Sequence, residues 1–177
     1  MEQTPAYLDL PPVRVWGQLT AQTGRGLLLQ STDEAAPYGR VILRGEHALC
    51  LDAVTGMPLD RKDLREGETL WAWIGPAVTL SLPPQAEALV ILGNLPTDGN
   101  IPWYHVAART EPCSGGVTVT TTDSRTLTVT GETELFPYLT RQIVRPEDLV
   151  PGSRMLVWTD DGGAVTRAMV FAPLWEE

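Results

Sequence analysis

Residues 126–130, TLTVT, alternate without a break: Leu127 and Val129 fall on one side, Thr126, Thr128 and Thr130 on the other. GVTVTT, just before them, sets Val117 and Val119 in the same rhythm. A period of two, rich in threonine and valine, marks a strand that is apolar on one face and wet on the other. The runs LWAWI, ALVIL, MLVW and AMVF are short, apolar and bounded by turn residues, so they read as strands too. No window holds a helical period for three turns, and an all-β chain is expected. Gly 16 and Pro 15 among 177 residues agree with many turns between short strands.

The pattern is written twice. RKDLREGETLWAW (61–73) returns as RPEDLVPGSRMLVW (145–158), with Asp-Leu three residues before a glycine and a hydrophobic run ending in Trp. GLLLQSTD (26–33) matches GVTVTTTD (116–123) at an offset of 90, and GEHALCL (45–51) matches GETELFP (131–137) at 86. EALVIL (87–92) falls near TRAMVF (166–171), about 80 positions on, so the first copy carries extra residues in EAAPYGRVILR, near MPLDRK and around PAVTLSLPPQ. These offsets divide the chain into an N-terminal extension (1–12), a first repeat (13–93), a linker NLPTDGNIP (94–102) and a second repeat (103–177). The DLxxG phrase reads as a one-turn plug and reversal before the fourth strand. Pro146 suits a first helical position, Val150-Pro151-Gly152 turns the chain, and Leu64 and Leu149 cap the core.

Five strands are expected in each repeat, near 13–19, 26–31, 40–44, 69–74 and 87–92 in the first. An open sheet of that length leaves its edges exposed to unwanted pairing, so each repeat is expected to close into a small barrel. The fold class is therefore all-β: two tandem five-stranded OB-like small barrels from an internal duplication. An SH3-like barrel or one ten-stranded sandwich are the alternatives. The order GxLxxxxGxxLxL, GExxL, DLxxGxxLxW and an Ala-headed last strand resembles a group of small bacterial β-barrel domains of unknown function. These recur in Gram-positive envelope and uncharacterised proteins. The resemblance covers both repeats, implies an OB-like fold and brings no catalytic residues with it. This chain departs from it in showing no secretion signal or anchor.

Where the copies differ, function is sought. Thr118 and Thr128 of the second copy are Leu28 and Ile42 in the first, at positions that face outward if Leu27, Leu29, Val41 and Leu43 face the core. Two large apolar groups on an outer face need a cover: the chain itself, the segment AYLDLPP, or a second protomer. Leu28 and Ile42 are thus the expected interface. Trp71 and Trp73 match Leu156 and Trp158, and the insertion carrying Pro83, Pro84 and Gln85 exists only in the first copy. Together these five residues form an alternative small-ligand or glycan site, since aromatics on a barrel face stack with sugars and bases and loops carry added function.

Charge and chemistry narrow the picture further. At a net charge of −9 without a basic stripe, nucleic acid and anionic membrane surfaces are not expected as partners. Two cysteines make no disulfide framework, no apolar run spans a bilayer, and the N-terminus lacks the marks of a signal peptide. A cytoplasmic protein is expected, or an envelope-associated or secreted one if a leader has been removed. His47 and Cys50 have the spacing of half a zinc site, but only His105 and Cys113 remain to complete it, so no metal and no cofactor are expected. His105 and Cys113 make a conceivable pair, yet no G-x-S-x-G, phosphate loop or dinucleotide fingerprint accompanies them. The acids Asp160-Asp161 sit in a turn. The expectation is no enzyme, no catalytic residues, and an interaction or structural module with a protein partner or with itself.

Overall fold

A computed structural model describes residues 10–171 and places them in two units, Pro12–Gly99 and the residues from Asn100 onward. The first is built from β1 (Val13–Thr23), β2 (Gly26–Gln30), β3 (Arg40–Arg44), β4 (Leu49–Asp52), β5 (Thr69–Val78) and β6 (Gln85–Gly93). The second repeats the series as β7 (Trp103–Cys113), β8 (Gly116–Thr121), β9 (Thr126–Thr130), β10 (Glu134–Pro137), β11 (Arg154–Thr159) and β12 (Val165–Phe171). A 3₁₀ turn precedes the fourth long strand in each copy, Arg61–Asp63 in one and Pro146–Asp148 in the other.

In the first unit β1 pairs antiparallel with β2 and with β5, β5 with β6, and β3 runs parallel to β6. The circuit β1-β2-β3-β6-β5-β1 is a closed five-stranded barrel with a short helical element between its third and fourth strands. That is the OB arrangement. Every second residue faces inward, so Val15, Leu19, Leu29, Leu43, Leu70, Ala72 and Ile74 are buried in one cluster, with Leu64 at its end. The second unit buries Ala107, Val117, Val119, Leu127, Val129, Met155 and Val157 in the same way, with Leu149 in the place of Leu64.

The repeated phrase is the same structure twice. Gly67 donates to the Leu19 carbonyl at 2.7 Å, and the Leu19 N–H returns to Glu68 O at 2.9 Å. In the second copy Gly152 donates to Ala107 O at 2.7 Å and Ala107 N–H to Ser153 O at 2.8 Å. Both glycines stand at positive φ, 89° and 93°, where a side chain would be strained. Leu64 and Leu149 each donate back to the first residue of their 3₁₀ turn at 3.2 Å, then plunge into their cores. Just beyond Leu19 and just beyond Ala107, the first strand of each copy carries a bulge that bends it round the barrel.

Two features differ from the sequence reading. Each sheet has a sixth strand, LCLD or ELFP, added parallel to the outer edge of the last strand. These are four residues long with no alternation, so periodicity does not reveal them. Their registers also correct the repeat alignment: Leu51 lies beside Leu92, which faces Trp71, while Phe136 lies beside Met169, which faces Leu156. Phe136 therefore answers Leu51 rather than Cys50.

The second feature is the seam between third and fifth strands. In the first unit it is sealed by the pairs Ile42↔Gln85, Leu43↔Ala86 and Arg44↔Glu87. In the second, β9 pairs only with β8 among the described residues. Matching Trp71↔Leu92 to Leu156↔Met169 sets residues 85–87 against residues 162–164, which belong to the turn that Asp160 closes. The insertion in the first copy lengthens the β5–β6 hairpin, and only that added length brings strand residues to β3. The second hairpin is too short, and a cleft of about 590 Å³ remains between Thr126, Thr128, Thr130 and Val165. This explains the exchange of side chains between the copies: Ile42 is 7% exposed in a sealed seam, whereas Thr128 stands in water at an open one.

Candidate functional site

The insertion itself forms the tip of the β5–β6 hairpin, residues 79–84. Thr79 and Gln85 exchange hydrogen bonds at its neck, with Thr79 N–H donating to Gln85 O and Gln85 N–H to Thr79 Oγ1, both at 2.9 Å. Thr79 Oγ1 and Ser81 Oγ lie 2.6 Å apart, and Ser81 Oγ donates to Pro83 O at 3.1 Å. The loop is thus ordered by its own polar groups. What it displays is apolar: Leu80 is 102% and Leu82 96% exposed. Serine, threonine and proline hold the turn, and nothing in the turn needs the two leucines. No other pair of large apolar side chains among the described residues is so completely in water.

The residues selected from sequence fall elsewhere. Trp73 is 2% exposed and packs edge-on to Trp71 at 6.3 Å, while Trp71 is half-buried. Pro83 and Pro84 belong to the hairpin tip, and Val78 is the last β5 residue before it. Trp73 pairs with Val90 and Val78 with Ala86, so four residues of β6, about 13 Å at ~3.3 Å per residue, separate Trp73 from the base of the tip. Trp71, Trp73, Pro83, Pro84 and Gln85 therefore do not assemble into one ligand site; Gln85 is a seam residue paired with Ile42. Leu28 and Ile42 are corrected likewise. Leu28 is half-buried, and Ile42 is buried with its N–H donating to Pro84 O at 2.9 Å, so the two do not form an open apolar patch. The AYLDLPP cover lies outside the described residues up to residue 9.

One aromatic cluster escaped the sequence reading. Arg14 and Trp16 are outward neighbours on β1, and Trp16 pairs with Trp71 across the ladder. The Arg14 guanidinium lies 4.3 Å from the ring centres of both Trp16 and Trp71, a cation–π contact with each indole. The i, i+2 spacing of Arg14 and Trp16 on a strand was the available signal. Trp16 Nε1 also donates to Asp33 at 3.1 Å. In the second unit the matching aspartate, Asp123, takes an aromatic partner too: His105 Nδ1 lies 3.2 Å from its carboxylate, and Thr121 Oγ1 donates to the same oxygen. Burial works to raise the Asp123 pKa, but these hydrogen bonds outweigh it and hold the carboxyl at about 2. The same aspartate thus ties the second loop to the first strand in both copies.

Both cysteines are free thiols, one in each unit. Burial pushes the Cys50 thiol up to about 11, against a lowering by nearby Arg61. Cys113 ends the strand on which His105 sits, eight residues and roughly 26 Å away along β7. His105 instead stacks with Trp103 at 6.3 Å. Among the described residues no three His, Cys, Asp or Glu side chains are grouped to hold a metal ion, and no helix is long and apolar enough to cross a membrane.

No family model and no curated protein matches the chain. Among solved structures it is similar to the crystal structure of a multidomain protein with nucleic acid binding domains from Streptococcus pneumoniae TIGR4. The identity is 10%, the match covers 89% of this chain and 50% of that one, and the TM-score is 0.23. The chain thus spans half the length of that protein. That protein is described as having nucleic acid binding domains, and the exclusion of nucleic acid as a partner, read here from the net charge, is withdrawn. The physical flaw in the exclusion is that −9 is a sum over the whole molecule, whereas binding is decided by the potential over one face.

Proposed function

We propose that the protein is a non-enzymatic interaction module and that its first unit engages a partner protein through the tip of the β5–β6 hairpin. The observation that carries this reading is the pair Leu80 and Leu82, fully in solvent on an internally bonded turn that the second copy lacks. Sealing the barrel requires the hairpin's length but not its leucines. An ordered tip also loses little conformational freedom on docking, which favours affinity. The occupant is an apolar recess on another protein. Two leucines are anchors and not an interface of ~800 Å² per side, so a second copy of this chain meeting tip to tip is too small a contact to hold.

Covering each leucine is worth ~1.5–3 kcal/mol, so Leu80→Ser with Leu82→Ser is expected to weaken the complex at least about a hundredfold. The melting temperature should stay unchanged, because neither side chain packs on the barrel. A photo-crosslinking residue placed at Ala77, exposed beside the tip, should form an adduct with one partner protein, and the double variant should abolish that adduct. An adduct that survives the double substitution, or one formed only between two copies of this chain, contradicts the reading.

A further inference from the structure

At one end of the first barrel a cleft of about 470 Å³ is lined by Arg25 of the β1–β2 turn, Arg44 of β3, Gly45, His47, Arg61 and Glu87. That volume is in the range of small-molecule sites, about 300–1,000 Å³. Three of the thirteen lysines and arginines of a chain with net charge −9 meet here. The acids of the cleft are Glu46, which is exposed, and Glu87, whose carboxylate lies 3.3 Å from Arg44.

Arg61 is the informative residue. Its Nη2 is buried and has no hydrogen-bond partner, and the same holds for Arg44 Nε. Among the described residues no carboxylate comes within 4.0 Å of the Arg61 guanidinium. The acids around it are committed to backbone: Asp60 accepts from Lys62 N–H at 3.0 Å, and Glu68 accepts from Arg65 and Asn94 N–H, both at 3.1 Å. The guanidinium lies against the α-carbon of Gly45, where a methyl group would come within 2.9 Å of Arg61 Cζ. A glycine is therefore needed for the cation to occupy this place. The guanidinium thus has no carboxylate partner of its own, and an anion in the cleft that Arg61 lines would supply one.

We infer that this cleft binds a phosphate group, with the half-buried Arg61 as its anchor and the exposed Arg25 and His47 on the open side. A tetrahedral oxyanion offers several acceptors to side chains that line one cleft, and arginine is the usual partner for such a group. The phosphate is presented either free, on a small molecule, or along a nucleic-acid strand; the chemistry at Arg61 is the same. The side chains invoked here, Arg25, His47 and Arg61, are not those of Leu80 and Leu82, so the variants of the two proposals test them separately.

The test is thermal unfolding of the full chain against inorganic phosphate, with ionic strength held constant by chloride. A saturable rise in melting temperature is expected, with half-saturation at least tenfold weaker in Arg61→Gln. Without phosphate, Arg61→Gln should melt no lower than the parent, since it loses a cation that no carboxylate pairs. Arg25→Gln, on an exposed turn, should weaken binding at least threefold and serves if Arg61→Gln does not fold. A ten-nucleotide single strand forms the second arm. If it binds and phosphate displaces it in the parent but not in Arg61→Gln, the strand is the source of the phosphate. No saturation with either probe, or equal saturation in parent and Arg61→Gln, overturns the inference.

Discussion

Gly26→Ala is expected to destabilise the first unit by about 3 kcal/mol, lowering its melting transition by ~12–24 °C. The cause is close backbone approach. Gly26 has φ of 141°, and a methyl group on it would run into the carbonyl of Leu43, with the carbonyl carbon only 2.8 Å away. Gly116 opens the matching strand of the second unit, and a methyl there would strike the Val129 carbonyl, with its carbon at 2.9 Å. Leu43 and Val129 are themselves equivalent in the two copies. Gly116→Ala should therefore injure the second unit, somewhat less because its φ is not positive. Gly24→Ala is the control, since nothing lies within 4 Å of the added methyl; its effect should stay within ~0.5 kcal/mol. Calorimetry resolves which transition moves.

The second large effect is expected at the leucines of the repeated phrase. Leu64 and Leu149 are 4% and 3% exposed at the ends of their cores. Truncation of such a residue to alanine costs ~2–5 kcal/mol, because the surroundings collapse only partly into the space left behind. Leu64→Ala should depress the first transition and Leu149→Ala the second, by similar amounts. The exposed neighbours Arg65 and Val150 should tolerate alanine with little change. Had the phrase been a binding motif, its exposed members would matter more than its leucines.

These two predictions mark what is legible in the sequence and what is not. The duplication is legible because its signals are local: a glycine that must take positive φ, a leucine that must plug a core, threonine and valine in strict alternation. The OB circuit follows from strand count and the helical turn before the fourth strand. The sealed and open seams are not legible, because sealing depends on how far one hairpin reaches across to β3. Ile42 accordingly looks like an outward patch in sequence and is a buried seam residue in the structure. Trp71 and Trp73 attract attention as aromatics, yet one is buried and the other is covered by Arg14, whose role depends on pairing between strands far apart in the chain. Leu80 and Leu82 lie within the insertion, but only the fold shows them standing in water. Arg61 reads as one charge in a charged phrase; that its Nη2 is buried without a partner is a property of packing.

One unit present in two copies, sealed in the first by a lengthened hairpin and left open in the second, makes a sharp demand on amide hydrogen exchange. Leu19, Gly67, Ala107 and Gly152 should be among the slowest amides of their own halves, since they form the same reciprocal bonds in each. Ile42, which donates to Pro84, should be protected like them, whereas Thr128, its counterpart at the open seam, should exchange at least a hundredfold faster. A Thr128 amide as slow as that of Ile42, or fast exchange at Ala107 and Gly152 alone, would contradict this account.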